Sequence, residues 1–60
     1  MGKKELETLL EYLKDRVAYI KKSGDSMEEA SFGYEEGILI TGNDALMIME
    51  AISAVLEDNK

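Results

Sequence analysis

Residues 30–44 read Ala30-Ser31-Phe32-Gly33-Tyr34-Glu35-Glu36-Gly37-Ile38-Leu39-Ile40-Thr41-Gly42-Asn43-Asp44, and this stretch decides the fold. Ala30, Phe32 and Tyr34 recur at every second position, the period of a strand with one covered face. Ile38-Leu39-Ile40-Thr41 is a β-branched run bounded by glycines. Between them, Tyr34-Glu35-Glu36-Gly37 suits a type I turn with Gly37 left-handed in a G1 bulge. A β-hairpin over about 28–34 and 37–41 is therefore expected. Upstream, Ser26-Met27-Glu28-Glu29 matches a capping box, so a short helix over 26–32 stands as the alternative to the first strand.

Helical patterns flank the hairpin. Over Lys3–Lys22, Leu6, Leu10, Leu13, Val17 and Ile20 follow 4-3-4-3 spacing and fall on one stripe, which Leu9 widens. Lys21 and Lys22 suit the negative end of the helix dipole, and Gly24 suits a left-handed cap. Tyr12 and Tyr19 lie beside the stripe and are read as covering the core edge. Tyr12 and Arg16, four apart, have the spacing of a cation–π pair. After the hairpin, Thr41 or Asn43 can cap a second helix over about 44–57, with Asp44 favourable in its first turn. The tail Asp58-Asn59-Lys60 is expected to fray.

The second helix is the less ordinary one. At 100° per residue, Glu50, Ser53 and Glu57 form one narrow polar stripe. Apolar side chains fill the remaining arc of about 220°. Met47 and Met49 are read as core fillers. One hairpin and one other helix can cover only part of such an arc, and a two-fold dimer covers the rest with the same patch used twice. Met47, Ile48, Ala51, Ile52, Ala54 and Val55 are the expected dimer interface. The length points the same way. A core built from 60 residues rarely supplies more than ~3–5 kcal/mol, and with no Cys and no His the chain has neither a disulfide nor the usual zinc ligands to add.

Composition narrows the function. Apolar residues make up 45% of the chain, which argues against disorder despite a net charge of −6. Residues 1–22 carry six bases and four acids. Residues 23–59 carry nine acids and no base. Such a tract disfavours nucleic acid and acidic membranes and favours a basic protein partner. Its bland reading is solubility alone. The absence of His and Cys removes the side chains most used for proton transfer and nucleophilic attack near neutral pH. Gly42-Asn43-Asp44 lacks the Lys-Ser/Thr of a phosphate loop, Gly33 and Gly37 have the wrong spacing for a dinucleotide turn, and the acids do not match a calcium loop. No enzyme, no metal and no cofactor are expected. The start of the chain has no signal-peptide pattern, and Ala45–Leu56 is too short to span a bilayer. The expected location is the cytoplasm.

The sequence thus points to one small α+β domain, helix–hairpin–helix, paired through its second helix. Its expected function is a non-catalytic, acidic protein-interaction module. Glu28, Glu29, Glu35 and Glu36 would meet Lys or Arg of a partner, with Tyr34 as an anchor. Composition and analogy suggest a phage or mobile-element inhibitor of a host defence or nucleic-acid-handling protein. The alternative is a regulatory or structural subunit that docks on a larger protein through the apolar face of the second helix.

Overall fold

The computed structural model describes residues 2–58 of the chain. Helix α1 spans Lys3–Ser23, strand β1 Ser31–Glu35, strand β2 Ile38–Thr41 and helix α2 Gly42–Asp58. The expected α+β order is the observed one. Of the expected frayed tail, Asp58 belongs to α2, and Asn59 and Lys60 lie outside the described residues.

Helix α1 stops as its sequence dictates. Gly24 takes φ 80°, and its N–H donates to the Lys21 carbonyl while that of Asp25 donates to the Ile20 carbonyl at 3.2 Å. These two bonds form a Schellman cap, which satisfies carbonyls the helix leaves without partners. Leu13, Val17 and Ile20 of the stripe are buried.

The connection to the hairpin combines the two readings of residues 26–32. The Glu28 N–H donates to Ser26 Oγ, and the N–H groups of Glu29 and Ala30 donate to the Ser26 carbonyl. Ser26 therefore opens one helical turn, which goes no further. Propagation would consume the backbone groups that Ser31–Glu35 pair with β2. The first strand accordingly begins at Ser31, three residues later than expected.

Strands β1 and β2 pair antiparallel, Ser31 with Thr41, Phe32 with Ile40 and Gly33 with Leu39. The register then shifts, so that Glu35 pairs with Ile38. The irregularity lies between Gly33 and Glu35 on the first strand, whereas the expected G1 bulge is on the second. Gly37 does have the left-handed φ, at 79°. Ala30, Phe32, Tyr34 and Ile40 are half-buried on the inner side, while Ser31, Gly33 and Leu39 face out.

Helix α2 is capped reciprocally. The Asp44 N–H donates to Thr41 Oγ1 at 3.2 Å, and the Thr41 N–H donates to Asp44 Oδ2 at 3.3 Å. Thr41 is thus the cap and Asn43 is not. The helix begins at Gly42, two residues before the expected start. Gly42 is buried, and a Cβ there would meet Met27 Cε at 2.8 Å and the Met27 carbonyl at 3.1 Å. The missing side chain lets the Asn43 N–H donate to the Met27 carbonyl at 2.9 Å and the Gly42 N–H to the Ala30 carbonyl at 3.0 Å. The start of α2 is therefore tied to the turn that precedes β1.

The core is thin. Among the described residues, Leu13, Val17, Ile20, Ala45 and Ile52 are its buried apolar side chains. The chain exposes 4489 Å², against about 3,900 Å² expected of a compact monomer of this mass. Its radius of gyration is 11.9 Å, against about 10.4 Å for a globular domain of this length.

Candidate functional site

Helix α2 is apolar on two sides. Ala45 and Ile52 are buried, and Ile48, Met49 and Leu56 pack against them. This is the inner stripe, at spacings of three and four. On the adjoining arc, Met47, Ala51, Ala54 and Val55 are exposed, Met47 to 70%. Leu46 is exposed within the polar stripe, between Ser53 and Glu57 on the helix surface. Of the six residues expected at a dimer interface, Met47, Ala51, Ala54 and Val55 lie on the outer face. Ile52, 5% exposed, belongs to the chain's own core, and Ile48 is half-buried beside it. Met47 is not a core filler of the single chain; Met49 is, in part.

The hairpin adds apolar surface that sequence reasoning missed. Leu39 is 72% exposed, and Ile38 is also exposed. Leu39 lies opposite Gly33, which offers no side chain to cover it. That register is the signal that would have found it.

The four expected acidic contacts are exposed but do not converge. Glu28 and Glu29 occupy the turn before β1, whereas Glu35 and Glu36 are at the hairpin tip. The strand between them, Ser31–Glu35, spans roughly 13 Å at about 3.3 Å per residue. Tyr34 is half-buried against the core and reaches the surface at a groove near the tip.

That groove runs between α1 and β1. Glu5, Thr8, Leu9 and Tyr12 form one wall, and Tyr34 and Glu35 the other, around a volume of ≈ 410 Å³. Tyr12 is fixed twice. Its hydroxyl donates to the Gly33 carbonyl, and its ring meets Phe32 edge-on at 6.0 Å between centroids. A second hollow, ≈ 230 Å³, lies among Arg16, Tyr19, Ile20, Asp25, Ala30, Ser31 and Phe32. The Arg16 guanidinium lies 5.3 Å from the Tyr19 ring centre and donates to Asp15 at 3.1 Å. The Tyr12–Arg16 pair that the spacing allows does not form, because Tyr12 turns towards β1. Among the described residues no three His, Cys, Asp or Glu side chains gather in a way that could hold a metal ion, and no helix is long and apolar enough to cross a membrane.

Comparison of the chain with protein-family models, curated proteins and solved structures gives no match.

Proposed function

We propose that the chain is a non-catalytic protein-interaction module that pairs with a second copy through the outer face of α2 and turns its acidic surface towards a basic protein. The observation that carries this is the wide apolar arc of α2, with Met47, Ala51, Ala54 and Val55 left exposed beside buried Ala45 and Ile52. Small Ala51 and Ala54 allow two such helices a close approach, and Met47 adapts its shape to the gap. A standard interface buries about 800 Å² per partner, under a fifth of the 4489 Å² exposed here. The excess surface and the thin core both argue for a missing partner. The acidic tract suits the basic groove of a nucleic-acid-handling host protein, the target class of a phage or mobile-element inhibitor. That part of the proposal rests on charge and analogy.

Sedimentation equilibrium of wild type beside Met47→Asp tests the pairing. Wild type is expected to sediment at twice its 6.7 kDa and the variant as a folded monomer. A wild-type mass of 6.7 kDa at micromolar concentration would overturn the dimer.

Leu39 and Ile38 favour a second reading. They are exposed on a different element from Met47, and one helix–helix contact does not cover both. A larger protein docking over α2 and the hairpin would. This reading predicts a complex that is insensitive to salt and abolished by Met47→Asp.

A further inference from the structure

The groove between α1 and β1 brings together two tyrosines and two carboxylates from positions far apart in the chain, with Tyr12 and Glu5 on one wall and Tyr34 and Glu35 on the other. Leu9 adds an apolar patch to the first wall, beside Thr8. We propose that this groove receives a lysine or arginine side chain from a basic segment of the partner protein. The inference rests on the reading of the chain as a module for a basic partner, and it places the contact.

The chemistry of the walls selects this occupant. A long cationic side chain has an apolar stem and a charged head. The stem covers Leu9, and the head reaches the tyrosine ring faces and the two carboxylates. Ring faces attract cations, and paired carboxylates accept hydrogen bonds from an ammonium or a guanidinium. At ≈ 410 Å³ and open to solvent, the groove has room for one such side chain to enter from the surface. Tyr12 is preorganised, because its hydroxyl is held by Gly33 and its ring by Phe32. Less side-chain freedom is then lost on binding. On the β1 side the charge agrees, with no Lys or Arg between residues 23 and 59, while α1 carries Lys3 and Lys4 next to Glu5. An anionic ligand would meet Glu5 and Glu35.

The test is a titration of the isotope-labelled full chain, followed by NMR, with a synthetic peptide of alternating glycine and lysine. The same peptide with norleucine for lysine is the neutral control. Shift changes are expected at Glu5, Thr8, Leu9, Tyr12, Tyr34 and Glu35 with the lysine peptide and not with norleucine. Glu5→Gln/Glu35→Gln should weaken binding about tenfold, and Glu28→Gln/Glu29→Gln less than about twofold, because only the first pair lines the groove. Tyr34→Phe should retain binding and Tyr34→Leu lose it, since the ring face is what is used. Equal weakening by the two glutamate pairs, or equal binding of the norleucine peptide, would overturn the proposal. The groove contains no residue of α2, so the Met47→Asp monomer should bind the peptide as wild type does. Binding lost in the glutamine variant of an intact dimer would support the groove. Absence of binding in an intact dimer would overturn the groove and leave the pairing standing.

Discussion

The Tyr12 hydroxyl joins α1 to β1 across 21 residues of chain, and no spacing rule for a single helix reveals such a bond. A hydrogen bond of this kind contributes about 1 kcal/mol net. Tyr12→Phe keeps the ring against Phe32 and removes only the bond, so urea unfolding should show a loss of about that size. An unchanged midpoint would mean that water replaces the Gly33 carbonyl at no cost. The Thr41–Asp44 cap belongs to the same scale but was readable beforehand, because caps follow local order. Thr41→Ala should cost about 1 kcal/mol by the same measurement. The Arg16 contact shows the limit of local reading. Tyr12 and Tyr19 both have helical spacing to Arg16, and only the position of the hairpin decides that Tyr19 is the one beneath it.

At the scale of elements, two helices and a hairpin were legible because each has a period and a stop signal in the sequence. Gly24 and Gly37 take the left-handed conformations their positions require. The turn over 26–30 was ambiguous for a physical reason. Ser26 does cap a helical turn, but the strand that follows holds the backbone groups a longer helix would need. Gly42 was not singled out, since its role depends on Met27, fifteen positions upstream, pressing against it. Gly42→Ala places a Cβ 2.8 Å from Met27 Cε and 3.1 Å from the Met27 carbonyl. The side chain can swing away, but the backbone cannot without giving up the bond to Asn43. Gly42→Ala should therefore destabilise the fold by about 1–3 kcal/mol despite its better helix propensity. Adding Met27→Ala should recover only the part due to the side chain. A Gly42→Ala variant more stable than wild type in thermal unfolding would contradict this packing.

At the scale of the molecule, α2 was the least legible element in detail. Its apolar arc is so wide that the pattern does not distinguish inner from outer face. The structure does, assigning Ala45 and Ile52 inward and Met47, Ala51, Ala54 and Val55 outward. The acidic groove was legible only at Tyr34 and Glu35, because Glu5 and Tyr12 reach it through tertiary packing. A core of five buried apolar side chains gives a monomer little reserve. Leu13→Ala, at a fully covered position, should cost about 2–5 kcal/mol, comparable with the ~3–5 kcal/mol a core this small supplies. Circular dichroism should find that variant largely unfolded when dilute and recovering helix as concentration rises, since dimerisation adds stability by mass action. The face itself is tested most directly by isotope-filtered NMR on an equal mixture of labelled and unlabelled chains. Pairing through the outer face of α2 brings the Met47 methyl into intermolecular contact with Ala51, Ala54 and Val55. Intermolecular contacts confined to other surfaces, or none from Met47 at a concentration where wild type sediments at twice its 6.7 kDa, would contradict it.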